Sequence, residues 1–280
     1  MIPKIYSDNW TDYELIDAGF NKKLERWGKV ITIRPELQAY FPPALSAKEW
    51  KEKAHLEFIE KSSTNGEWKL LKSLPTGDWK IHFQGLSFLL ERTKFKHVGL
   101  FPEQATNWEL ISDFLQPGMK MLNLFAYTGA ASVVGRNTGA EVTHVDSVKQ
   151  LITWAKYNME DSGLSDIRWI HEDALKFAQK EEKRGNTYDL IVMDPPAWGV
   201  GTKNEKWKLE DQLEFLIESA SVLLKKNGLL ILNTYTPKIT LEEIQEYAEP
   251  YFRKIELGEL WKKTTTGKEL FYGFLLRAYK

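Results

Sequence analysis

Cysteine is absent from all 280 residues. That removes disulfides, zinc thiolates and thiol nucleophiles from the chemistry open to the chain. No run of about 18 apolar residues occurs either, so no membrane-spanning helix is expected. The opening residues, MIPKIYSDNWTDYELID, lack a basic stretch followed by an apolar one, and no secretory leader is read there. An excess of either charge is missing too. With 38 Lys and Arg against 39 Asp and Glu, no global field draws in a polyanion. The first hundred residues are mildly basic and the rest mildly acidic, which decides nothing alone. These absences fit a cytoplasmic protein with no resident metal.

Eleven tryptophans and an apolar fraction of 42% provide material for a sizeable core. Two textures divide the chain. From Tyr13 to about Arg92, short alternating runs such as YELID, KLERWG, KVITIRP and DWKIHF are separated by glycines, which reads as closely spaced strands. Between them, PALSAKEWKEKAHLEFIEKSS reads as one helix with Ser46 as its N-cap. From about Phe101, strands and helices alternate: KMLNLFAYTG, AASVVGRNTG, AEVTHVD, SVKQLITWAKYNMEDSG, DIRWIHED, ALKFAQKEEKRG, YDLIVMDPP, the long helix KLEDQLEFLIESASVLLKKNG, and LLILNTYT. The tail reads as a hairpin. Such alternation predicts a mostly parallel sheet covered on both faces. The expected domains are residues 1–95, β-rich and available for substrate or RNA docking, and residues 96–280.

In an open parallel sheet, ligands bind beyond the carboxyl ends of the strands. After the first strand of the second region comes FAYTGAAS, where Gly129 admits close backbone approach ahead of a helix N-terminus; the alternative is an ordinary turn. The three-glycine dinucleotide fingerprint is missing, which favours a ligand with a ribose but no phosphates. Asp146 ends the second strand, placed to hold ribose hydroxyls or to cap a helix. Asp173 follows the third, where it either meets an adenine amine beside the Ala174 N–H or caps the next helix. After the fourth comes DPPAWG. Pro195 and Pro196 have no N–H and fix the chain, so Asp194 heads a rigid array of acceptors. Trp198 is placed to stack on a planar substrate, at about 1–3 kcal/mol for a base, or else to pack in the core.

Gly129, Asp146, Asp173 and DPPAW, in this order and on these strand ends, resemble the class I S-adenosylmethionine-dependent methyltransferases. LNLFAYTG and DPPAWG are similar to the large-ribosomal-subunit RNA methyltransferase family that includes cytosine-C5 and guanine-N7 enzymes. TKFKHVGLFPEQATNW resembles the segment before that family's catalytic domain, and AEVTHVDSVK, WKLE and LNTYTP a compact bacterial subgroup. The resemblance covers about residues 90–280. It implies a Rossmann-like α/β fold: a seven-stranded sheet, mostly parallel, ending in an antiparallel hairpin. It implies S-adenosyl-L-methionine as cofactor, with Phe125, Tyr127, Thr128 and Gly129 passing its methionine part. Asp146 would hold the ribose, and Asp173 with Ala174 the adenine, with Ser147 among the cofactor-binding residues. Glu103 and Gln104, matching the Asp-Gln of the preceding segment, would close over the methionine end. Asp194, Pro195, Pro196 and Trp198 would form the acceptor pocket, with Asp194 also touching the cofactor.

One departure is chemical. Cytosine-C5 relatives have a thiol after the fifth strand, needed because C5 is a poor nucleophile; here that place reads Asn233, Thr234, Tyr235 and Thr236. The expected activity is therefore direct in-line transfer to an RNA base, rRNA by resemblance. The alternatives are an RNA-binding or small-molecule-modifying protein that keeps the pocket, and a nicotinamide-dependent oxidoreductase. The first region could carry RNA through aromatic stacking and phosphate contacts, or equally be a structural β-domain packed on the sheet edge; KLERWGKVITIRP is the stretch to test first for RNA contact, by charge reversal at Lys22, Lys23 and Arg26.

Overall fold

A computed structural model describes residues 2–7, 10–62, 65–200 and 206–280. The chain divides into two compact units. One comprises residues 1–5, 106–260 and 273–280, the other residues 6–105 and 261–272.

The second of these begins with the elements β1 (Lys4–Tyr6, shared with the first unit), β2 (Tyr13–Gly19), β3 (Lys22–Trp27), β4 (Val30–Pro35), α1 (Ala47–Lys53), β5 (Leu56–Ser62), β6 (Asn65–Leu70), β7 (Lys80–Phe83) and β8 (Leu86–Leu89). Strands β2 to β6 form one sheet in sequence order, with β4 and β5 parallel, and β7 pairs with β8. The helix expected to run to Ser63 stops at Lys53. Ser46 caps it in a box with Glu49, and LEFIEKS forms strand β5 instead. Its end residue Ser63 lies outside the described residues.

Asp17 organises this unit. Its carboxylate accepts from the backbone of Ala18, Ala44 and Leu45, from Trp50 Nε1 and from Thr266 Oγ1. A buried charge cluster lies nearby in sequence: Arg34 bonds Glu25 through Nε at 2.7 Å, and Lys23 lies 3.4 Å from Glu25 and 3.2 Å from Glu36. Burial by itself would raise Glu25, but Arg34 and Lys23 outweigh it and hold the carboxyl at about 2. The candidate RNA-contacting side chains are therefore largely engaged within the unit. Lys23 is buried in that cluster, Arg26 binds Glu14 at 2.9 Å, and Lys22 binds Glu57 at 2.7 Å.

The other unit contains α2 (Ala105–Phe114), β9 (Lys120–Leu124), α3 (Ala130–Asn137), β10 (Glu141–Asp146), α4 (Lys149–Asp161), β11 (Ile167–His171), α5 (Ala174–Lys183), β12 (Tyr188–Met193), β13 (Trp198–Val200), β14 (Lys206–Lys208), α6 (Leu213–Leu223), β15 (Leu224–Thr234), α7 (Leu241–Ala248), β16 (Lys254–Lys263) and β17 (Glu269–Tyr279). The last two strands extend into residues 261–272, which count with the β-rich unit of residues 6–105. The sheet runs β1-β16-β17-β15-β12-β9-β10-β11. The five strands from β15 to the edge strand β11 are parallel, and β17 is antiparallel to β15. The seven expected strands are joined by an eighth, β1, at the edge.

Alternation along each strand feeds both faces. Leu122, Leu124, Val145, Ile191, Met193, Leu230 and Leu232 pack with α5, α6 and α7 into the main core. The intervening positions meet the other face, where Met121 presses so close to Gly135 of α3 that a Cβ there would collide with its sulfur. Both faces are covered, so the strands read as continuous apolar runs. The long helix expected over Lys208–Gly228 is only α6. Strand β15 already starts at Leu224, and residues 225–228 bulge between Leu224, paired with Tyr188, and Leu229, paired with Leu190 of β12.

Candidate active site

The loop after β9 holds three left-handed residues within five: Phe125 at φ 56°, Tyr127 at φ 52° and Gly129 at φ 84°. Glycine adopts this conformation freely, but bulky side chains resist it by about 1–2 kcal/mol each. Strain of this kind collects where backbone must meet a ligand. Gly129 answers two demands at once, because a Cβ there would also lie 2.7 Å from Ala155 Cβ of α4.

Asp146 holds the loop in place. Its Oδ2 accepts from Tyr127 N at 2.9 Å, and its Oδ1 from Val148 N at 2.8 Å. The side chain is buried at 8% exposure. Burial raises its pKa, partly offset by these amides. Each oxygen retains acceptor capacity beyond one amide bond, which is what a ribose diol requires. Ser147, the next residue, is exposed, and its carbonyl lies 3.1 Å from His171 Nε2. Thr128 is buried, and its carbonyl accepts from Asn158 Nδ2 at 2.9 Å.

Behind the loop lies a buried polar chain. Asn123 Nδ2 donates to Ser132 Oγ at 2.9 Å, and Ser132 Oγ stands 3.0 Å from His144 Nδ1. The other ring nitrogen, Nε2, is buried without a partner. Burial pushes His144 down to about 3, so the ring is neutral in the fold.

Asp173 is the N-cap of α5, accepting from Lys176 N at 2.9 Å, and Ala174 is buried behind it. The capping alternative is thus realised, and it leaves the second carboxylate oxygen unaddressed by that cap.

Asp194 follows β12 directly. Pro195 is buried and Pro196 exposed. Neither can donate, and the Pro196 carbonyl accepts from Trp207 Nε1 at 2.7 Å. Trp207, on β14, also lies against Phe125 with ring centroids 5.3 Å apart. It ties the Asp194–Trp198 segment to the strained loop, a link the sequence reading missed. Trp198 is not a core residue. It stands 58% exposed on β13, paired with Lys208. Gln104 ends a 3-10 turn, Pro102–Gln104, in the other unit. The structure thus brings Phe125, Tyr127, Thr128, Gly129, Asp146, Ser147, Asp173, Ala174 and Asp194 to the carboxyl ends of neighbouring strands in one unit. Among the described residues, no group of three or more His, Asp or Glu is arranged to hold a metal ion.

The strand-end arrangement suits a nucleoside cofactor: a left-handed backbone turn packed tightly on α4 through Gly129, and a buried carboxylate at the second strand end. Comparison with known proteins agrees. The family model for S-adenosylmethionine-dependent methyltransferases matches residues 31–250. A solved SAM-dependent methyltransferase from Agrobacterium tumefaciens is 36% identical, with a TM-score of 0.92 over 99% of this chain and 93% of that one. Ribosomal RNA large subunit methyltransferase K of Neisseria meningitidis is 26% identical over 81% of this chain and 63% of its own length. The K/L enzyme of Shewanella frigidimarina is 32% identical over 56% of this chain and 22% of its own length. The chain thus spans less than two thirds of these curated relatives. It belongs to the S-adenosylmethionine-dependent methyltransferase family.

Proposed function

We propose that this protein methylates a nitrogen of an RNA base, ribosomal RNA in the first instance, by direct transfer. The observation that carries this reading is the adjacency of the strained, Asp146-braced loop and the donor-poor wall that begins at Asp194. The relatives named as ribosomal RNA methyltransferases support the substrate class. The first loop and Asp146 hold the cofactor, with Asp173 and Ala174 toward its base. When bound, S-adenosylmethionine supplies an activated methyl group. The protein's own work is then to place and polarise the acceptor. Ionised Asp194 accepts a hydrogen bond from the acceptor N–H, orients the nitrogen lone pair and takes up the proton released as the new N–C bond forms. Pro195 and Pro196 keep competing N–H donors out of the wall. Most of the rate then comes from positioning. No thiol exists to add to a pyrimidine C6, so C5 of cytosine is not the target.

The test is methyl transfer from labelled S-adenosylmethionine to total RNA from a strain lacking this protein, followed by nucleoside analysis. An N-methylated nucleoside is expected. A 5-methylcytosine product, or label confined to a small molecule or protein, overturns the reading.

A further inference from the structure

Asn233 has no assigned role, yet its surroundings are specific. Strands β12 and β15 run parallel, and Met193 pairs with Leu232. One residue on, Asp194 and Asn233 stand side by side on the face away from the main core. Asn233 is 3% exposed. Its Nδ2 lies 3.4 Å from Asp194 Oδ1, while its Oδ1 is buried with no partner. The amide orientation follows from chemistry, because an ionised carboxylate only accepts. The 3.4 Å separation is long for a hydrogen bond, as catalytic contacts often are before substrate binds.

The orphaned oxygen costs free energy that an apolar side chain would avoid, about 1–3 kcal/mol. A leucine here would fill the space without it. What the amide alone provides is a donor to Asp194. The end of β15 is also held from its far side, where β17 comes so near that a Cβ at Gly273 would collide with the Thr234 carbonyl. Asn233 is thus fixed, and what it fixes is the carboxylate beside it.

We infer that Asn233 is a positioning residue for methyl transfer. It donates to one oxygen of Asp194, which keeps the carboxylate ionised and sets the direction in which it meets the acceptor. This rests on the reading of Asp194 as the group that contacts the acceptor nitrogen. Ionisable groups at the neighbouring strand ends are Tyr127, Asp146 and Tyr235. Arg277 lies on β17 opposite Ile231, with its guanidinium bonded to Thr106 and Asn107.

Two measurements separate this inference from the reading beneath it. The first needs no substrate: protein labelled with 13C at aspartate carboxyls is titrated, with Asp194→Asn used to assign the Asp194 signal. Asn233→Leu removes a hydrogen bond to the charged form, so the Asp194 midpoint should rise by about one pH unit. Asn233→Asp, nearly isosteric and the safer variant for folding, adds a like charge and should raise it further. An unmoved midpoint in both variants overturns the inference whatever the activity does. The second is kinetic, with labelled cofactor and the RNA pool above. Both variants should lower kcat about tenfold or more near neutral pH while KM for the cofactor changes less than about threefold. The acid limb of the Asn233→Asp profile should move up with the Asp194 midpoint. An unchanged kcat, or a loss confined to KM for the cofactor, overturns it as well. If the wild type transfers no methyl to RNA nitrogen, or Asp194→Asn is as active as wild type, the functional reading fails first and takes the catalytic part of the inference with it.

Discussion

Replacing Asp146 by alanine removes more than a ribose contact. It also strands the N–H groups of Tyr127 and Val148, at about 1–3 kcal/mol for each group left unsatisfied, so lost cofactor binding in Asp146→Ala is ambiguous. Asp146→Asn is the sharper probe. Its amide oxygen still accepts one bond, but its nitrogen cannot serve a second amide or a hydroxyl proton. We expect titration calorimetry to show cofactor affinity down at least tenfold in Asp146→Asn, with a smaller loss of melting temperature than in Asp146→Ala. Equal affinity to wild type would remove Asp146 from the site. Asp146, Gly129 and Asp194 were legible in the sequence because each follows an apolar strand, and strand ends are where such sheets bind. Trp207 was not. It sits on a ribbon with strands of three residues, too short to leave a periodic trace, and its bond to Pro196 joins positions the sequence does not visibly pair.

At the scale of elements, the turn between β9 and α3 is where geometry is least forgiving. Gly129→Ala would force a side chain into left-handed backbone and into Ala155 at once. The combined cost is about 2–4 kcal/mol, or a fall in melting temperature of roughly 5–15 °C. A scanning-calorimetry shift under about 2 °C would mean the loop relaxes freely and is not under tension. The elements the sequence misjudged share a cause. LEFIEKS suits a helix by composition, and only its pairing with β4 and β6 makes it a strand. The end of the long expected helix is likewise claimed by β15, whose residues 225–228 bulge between two pairings with β12. Local pattern reports propensity, and pairing across many residues overrides it.

Over the whole molecule, acid sensitivity should begin before any carboxylate protonates. His144, held at about 3 in the fold against 6.5 when exposed, is neutral when folded. The unfolded chain takes up a proton below pH 6.5 that the folded chain refuses. The stability contributed by this depressed group is fully present above pH 6.5 and is lost progressively as pH falls toward about 3. His97, also pushed down to about 3 by burial, adds to the slope, and Glu25 extends it from about 4.5 to about 2. Denaturant unfolding at pH 8, 6.5 and 5 should therefore show a decline below 6.5 that His144→Asn makes shallower. A parallel decline in wild type and variant would mean that His144 is not the sensor.

The sharing of residues between the two units also decides how the chain can be dissected. Residues 261–272 belong with 6–105, although the rest of the C-terminal hairpin belongs with the methyltransferase sheet. A fragment ending near residue 105 would forfeit the Thr266 hydroxyl that Asp17 accepts and the Tyr272 hydroxyl that meets Lys23. The complementary piece would keep a strand pair whose tip has lost its partner. Neither half is an autonomous module, so gene fusions or domain transplants built on a single cut would inherit an incomplete part, and only a permuted or grafted chain could carry either unit whole.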